Sequence, residues 1–184
     1  MMNYLVRASS LEGIRALIAR LGGDEDEIFR GAGLEEADLD PQSWFSYYRF
    51  LLLLEGAAAA THCPHFGLLL ASYQGIDARG PVGFVVQQAP DVRSALRALT
   101  VHFVHHNQGA EVELVVDKDI AQWRFHCKLQ GQAPLRQQED LAAGIGLNLM
   151  RLLGSVNWSP DAVYFHHARP ADQQPYRKAF DCPL

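Results

Sequence analysis

A chain of 184 residues with 48% hydrophobic and 20% charged content has the composition of one globular domain with a substantial core, which excludes a disordered chain and a fibre. A formal net charge of −5 without any cluster of Lys or Arg excludes the concentrated basic face that a nucleic-acid backbone needs, so any control of DNA must use other residues. The 3 cysteines, Cys63, Cys127 and Cys182, are odd in number and widely spaced, suggesting neither a disulfide framework nor a Cys-x-x-Cys zinc site, and read as reduced thiols of a cytoplasmic protein.

The N-terminus has no apolar core of a secretory signal, and no window approaches the roughly 18 apolar residues of a membrane span. The longest oily run, Phe50 to Ala60, is broken by Glu55 and Gly56 and reads as a buried helix, so no membrane partner is expected.

Behind a serine cap at Ser9 or Ser10, the residues Leu11, Ile14, Leu17, Ile18 and Leu21 recur at helical spacing until Gly22-Gly23 stops them. A short acidic helix follows from Asp24 to Gly31, with its carboxylates in the first turn, where the helix dipole favours them. Asp40-Pro41 turns the connector. Gln42 to Thr61 is predicted as the longest helix of the first half, with Tyr47, Phe50, Leu51, Leu54, Ala57 and Ala58 as its apolar stripe. A fourth helix spans Phe66 to about Gln74. Val82 to Gln88, between Gly80-Pro81 and Ala89-Pro90, fits a strand or a buried helical turn equally well.

Asp91 caps a predicted helix to about His106 that turns Val92, Ala95, Leu96, Leu99 and Phe103 inward. Val112, Leu114 and Val116 then alternate with glutamates up to a turn at Asp117-Lys118-Asp119. Ala121, Trp123, Phe125, Cys127 and Leu129 alternate with polar residues after it. The pattern is a β-hairpin with one dry face. A long helix from about Arg136 to Leu153 is expected to bury Leu141, Ile145, Leu149 and Leu152, and a third strand is expected from Ala162 to His167 before a short helix from Gln173 to Phe180. The predicted fold class is α+β: N-terminal helices, then a small antiparallel sheet packed against further helices, in a single domain over 1–184.

Several of these pieces, in this order, resemble the N-terminal region of AraC-type transcription regulators of the arabinose-binding-domain type. They are Ala32-Gly33-Leu34, Leu53-Leu54-Glu55 with Ala57-Ala58, Phe66-Gly67-Leu68, Gly80 to Gly83, Ala95-Leu96, the run Pro160, Val163, Phe165, His167, and Pro170 with Tyr176 and Phe180. The resemblance implies a domain that binds a small organic effector, forms a homodimer and controls an attached helix-turn-helix domain that reads DNA in the major groove. Such a DNA-binding domain is absent from these residues, so the expectation is either a fragment of a regulator or a stand-alone sensing protein.

Candidate pocket residues are Tyr47, His102, His106 and Trp123. An aromatic wall supplies apolar surface and, from Trp123, an indole donor, while imidazoles would supply hydrogen bonds that respond to pH near neutrality. The plainer reading of each is core packing or a helix edge. His102 and His106 stand four apart in the sequence, on one face of a continuous helix, which raises the alternative of a stand-alone metal or haem sensor, with His167 as a further ligand. That reading lacks a His-Glu-x-x-His motif, and the adjacent residues of His62-Cys63-Pro64-His65 are poorly spaced to share one ion. His166 and His167 alternate along their predicted strand, so only one can face a given site. A purely structural module with a filled core is a third option. No nucleophile elbow, phosphate loop or dinucleotide fingerprint appears, no cofactor is expected, and an enzyme is not predicted.

Overall fold

The computed structural model describes residues 4–75 and 81–184. Two short segments open the fold, β1 (Leu5–Arg7) and a 3-10 turn (Ala8–Leu11), and are followed by helices α1 (Ile14–Arg20) and α2 (Glu25–Gly31). The first predicted helix is therefore split. Gly13, at φ 75°, occupies the left-handed region between the 3-10 turn and α1, a conformation that a β-carbon disfavours. α2 starts at Asp24, whose side chain accepts from the Glu27 amide at 3.0 Å.

The next helix begins five residues later than its apolar pattern suggests. Trp44–Ser46 forms β2, antiparallel to β1 with Val6 opposite Phe45, and α3 (Tyr47–Ala60) starts behind Ser46. Three-residue strands carry too little alternation to be told from a helix stripe. α3 is the central element: Tyr47, Phe50, Leu51, Leu53, Leu54, Ala57 and Ala58 are all buried. Each large side chain removed from water contributes about 1.5–3 kcal/mol.

α4 (Phe66–Leu70) continues as a 3-10 turn (Ala71–Tyr73), and then α5 (Pro81–Gln87) and α6 (Val92–His102) pack on each other. The ambiguity at Val82 to Gln88 resolves as helix, because Val82 and Val86, one turn apart, are buried while Phe84 between them is 66% exposed. Gly80 of the Gly-Pro-Val-Gly element lies outside the described residues.

The hairpin forms as its alternation predicts. β3 (Ala110–Asp117) pairs with β4 (Ile120–Cys127), placing Val112 opposite Phe125 and Leu114 opposite Trp123 on the inner face. Its tip projects from the core, and there Val116 is 41% and Ile120 64% exposed.

α7 (Arg136–Leu153) spans the predicted range and α8 (Gln174–Phe180) closes the chain. Within α7 the buried stripe includes Leu141, Leu147 and Leu149, whereas Leu152 is 58% exposed and Leu153 packs in its place. The third predicted strand does not form. Residues 162–167 have no ladder partner among the described residues; the amides of His166 and His167 donate to the Glu139 carboxylate, and the Val163 amide donates to the Pro183 carbonyl. The alternating Val163 and Phe165 still pack inward, on a cluster formed by Leu68, Leu147, Tyr176 and Phe180.

Two sequence motifs meet at the start of α7. The Glu55 carboxylate accepts from the Gln137 amide at 2.9 Å, satisfying one of the N–H groups a helix start leaves open. Gln137 in turn accepts, through Oε1, from the Gly67 amide at 2.8 Å and donates through Nε2 to the Pro64 carbonyl at 3.1 Å. A β-carbon on Gly67 would collide with the Gln137 carbonyl oxygen, so glycine at this position is what lets α4 lie against α7.

Candidate functional site

The packed side chains fall into separate clusters, one around α1 to α4 and a second among α5, α6, β3 and the C-terminal half of α7. A cavity of about 60 Å³ lies along the seam between them. Its apolar walls come from Phe50 on α3, Leu99 on α6, Val112, Trp123 and Phe125 on the hairpin, and Leu141, Ala142, Ile145 and Leu149 on α7. Its polar end is formed by Ser10, Gln74, His106, Asn107 and Gln138. No Asp, Glu, Lys or Arg occurs among the described lining residues.

The polar end is mostly committed to internal hydrogen bonds. Ser10 Oγ and His106 Nε2 are 3.2 Å apart. Gln74 Nε2 donates to the carbonyls of Ser10 and Glu12, at 2.8 and 3.3 Å. Asn107 Oδ1 accepts from the Gly109 amide at 2.8 Å. Gln138 differs from these: its residue is 6% exposed, and its Oε1 is buried without a hydrogen-bond partner. A buried carbonyl oxygen in that state costs about 1–3 kcal/mol.

Of the four candidates read from the sequence, the structure brings His106 and Trp123 to this cavity. Trp123, half-buried, lies across α7 at Gly146. Tyr47 stands one layer behind the wall: it is fully buried, its ring stacks on Phe50 at 6.3 Å, and it abuts Gly109, where a β-carbon would collide with the ring. Burial pushes the Tyr47 phenol well above its usual pKa, and the neighbouring Cys127 thiol adds to the shift. His102 is elsewhere, stacked on His105 with centroids 6.1 Å apart.

The expected shared face of His102 and His106 is lost for a definite reason. α6 ends at His102 and the chain tightens into a 3-10 turn (Phe103–His105), so the four-residue spacing no longer stacks the rings. Among the described residues no three His, Cys, Asp or Glu side chains gather as a metal site would require.

Ser10, Gln74, Asn107 and Gln138 were not anticipated. Three of them come from turns and loops, where no periodicity marks them. Gln138 did leave a signal, since it shares the helical stripe of Leu141, Ile145 and Leu149 and is the polar residue in an otherwise apolar row.

A second buried polar cluster lies on another side of α7. Asp140, fully buried, accepts from the Tyr176 hydroxyl at 2.6 Å and stands 3.1 Å from His167 Nε2. His167 Nδ1 faces the Ala168 carbonyl at 2.9 Å, so both ring nitrogens face oxygens and both are best satisfied as donors. The hydrogen bond to Asp140 accordingly raises the His167 pKa. Burial and the same carboxylate raise that of Tyr176.

Among the described residues no helix is long and apolar enough to cross a membrane. The family described as the arabinose-binding domain of AraC transcription regulators, N-terminal, matches residues 22–184. The chain is 28% identical over 190 aligned positions to the HTH-type transcriptional regulator VirS of Mycobacterium tuberculosis, in strains CDC 1551 and H37Rv, covering 100% of this chain and 55% of each relative. It therefore spans about half the length of the curated relatives it matches. With the family match extending over most of its length, the chain belongs to the arabinose-binding-domain family of AraC-type transcription regulators, a class of regulatory domains and not of enzymes.

Proposed function

We propose that the chain is the ligand-sensing and dimerising part of a cytoplasmic AraC-type regulator, and that a small organic effector binds in the seam cavity and controls DNA binding by an attached helix-turn-helix domain. The observation that carries this reading is the unpartnered Gln138 Oε1, buried in the wall of a cavity whose other polar residues are mostly committed to internal hydrogen bonds. A core shaped only for packing gains nothing from such a group, whereas a ligand donor gives it a partner.

α7 is the element through which occupancy would act. Gln138, Leu141, Ala142 and Ile145 line the cavity, and the adjacent Asp140 holds α8. A ligand that favours one placement of α7 shifts the population of α8 placements by its difference in affinity for the two. The acidic balance of the chain fits a sensing part that leaves DNA contact to other residues.

The test is a thermal-shift screen of small metabolites against the wild type and Ala142→Phe, which fills the cavity. A true effector raises the melting temperature of the wild type, because binding to the native state must stabilise it, and leaves the variant unmoved. Stabilisation of both proteins alike would place binding elsewhere and overturn the reading. Sedimentation of the same samples measures the dimer.

A further inference from the structure

Resting on the reading of the seam cavity as the effector site, we infer that its ligand is an uncharged molecule with a single hydroxyl on a compact apolar body, and not a sugar. Four of the five polar residues at the cavity's polar end already spend hydrogen-bonding atoms on one another or on the backbone, as the pairs Ser10 with His106, Gln74 with two carbonyls and Asn107 with Gly109 record. Gln138 Oε1 is a buried acceptor without a hydrogen-bond partner. A hydroxyl both donates and accepts, so it satisfies the Gln138 amide whichever way the amide is turned.

Charge is excluded by what the walls lack. A carboxylate or phosphate taken out of water needs a guanidinium, an ammonium, an imidazolium or several converging N–H donors, and a cation needs a carboxylate; the described lining supplies no Arg, Lys, Asp or Glu, and the histidine it does hold, His106, already engages Ser10 through Nε2. A sugar is a poor match for a different reason: it carries several hydroxyls, and the walls formed by Leu99, Phe103, Val112, Phe125, Ile145 and Leu149 offer them no hydrogen-bond partner.

Size narrows the class further. At about 10–15 Å³ for each water-sized occupant, a cavity of about 60 Å³ admits only a small body. A ring-sized ligand enters by a slight parting of the two clusters that meet at the seam, which supplies the differential contact a sensor needs.

The experiment titrates phenol, toluene, benzoate and arabinose into the wild type, Ala142→Phe and two Gln138 variants, Gln138→Leu and Gln138→Met, by calorimetry and thermal shift. Phenol is expected to bind and stabilise the wild type at millimolar concentration, with benzoate and arabinose silent. Either Gln138 variant that folds should lose about tenfold in phenol affinity, the loss of one neutral hydrogen bond, while keeping its affinity for toluene. Benzoate or arabinose binding as tightly as phenol, and lost in Ala142→Phe, would overturn the ligand class and leave the cavity as the effector site. Phenol binding that survives Ala142→Phe would overturn both, and no response of the wild type to phenol would overturn the ligand class.

Discussion

The Tyr176 hydroxyl donates to Asp140 Oδ2 at 2.6 Å across a contact in which the aspartate has no exposure to water and the tyrosine is 1% exposed. This bond ties α8 to the helix that lines the cavity, beside the longer one from Arg151 Nη2 to the Ala179 carbonyl at 3.4 Å. Phenylalanine at 176 keeps the ring packed against Phe165 and removes the hydroxyl alone. Since hydrogen bonds to charged groups contribute about 1.5–3 kcal/mol, Tyr176→Phe is expected to lower unfolding stability by about that amount in urea denaturation at neutral pH. A loss under about 0.5 kcal/mol, the range of an ordinary surface change, would show that Asp140 finds another partner.

His167 gives this junction a pH dependence of defined sign. Its folded-state pKa is raised, first by the hydrogen bond to Asp140, above the ordinary imidazole value of about 6.5. Stability from the charged imidazole is therefore fully present below about pH 6.5 and is lost as pH rises through the folded-state pKa. The side chain is 10% exposed, so solvent screens the pair only weakly. Comparing wild type with His167→Gln in urea from acidic to mildly alkaline pH, the stability difference is expected to shrink as pH rises. A difference that is flat with pH would mean the imidazole is neutral throughout, despite the two oxygens it faces.

Two glycines should respond to alanine in opposite directions. At Gly67 a β-carbon meets the Gln137 backbone carbonyl, which cannot swing aside as a side chain tip can, so α4 and α7 must separate. Overpacking of this kind costs about 1–3 kcal/mol, occasionally more. Gly56 sits exposed within α3 with nothing within 4 Å of an added β-carbon, and there alanine gains about 0.5–1 kcal/mol of helix propensity. Melting temperatures of Gly67→Ala and Gly56→Ala are expected to move down and up respectively. A neutral Gly67→Ala would contradict the close approach of the two helices.

Much of the fold was legible wherever a periodic pattern ran long enough to choose between helix and strand. α7 and the β3–β4 hairpin stand where their repeats put them, the Asp91 cap marks a true helix start, and Asp24, read as the first residue of the acidic helix, caps it. Short elements escaped. β1 and β2 are stabilised by each other and by the Val6 to Asn107 bridge, partners far apart in the chain whose meeting no local pattern encodes. The cavity shares that difficulty: Ser10, Gln74 and Gln138 converge only after the two clusters pack, and the His102 to His106 spacing carried meaning only on a helix that in fact stops at His102.

Leu149 and Leu152 separate the inner from the outer face of α7, and they offer a direct check on where the seam lies. Both belong to the apolar repeat, but Leu149 is 4% exposed and lines the cavity, whereas Leu152 is 58% exposed. Truncating a buried leucine to alanine costs about 2–5 kcal/mol, depending on how far the surroundings collapse. Leu149→Ala is expected toward the lower end, because it enlarges a space that already exists and that water at the polar end can partly fill. Leu152→Ala should change stability by less than about 0.5 kcal/mol, as at other exposed positions. Urea denaturation measures both. Equal losses would mean that Leu152 is covered in solution by a second copy of the chain, which sedimentation of the Leu152→Ala protein checks, since a lost dimer lowers the sedimenting mass.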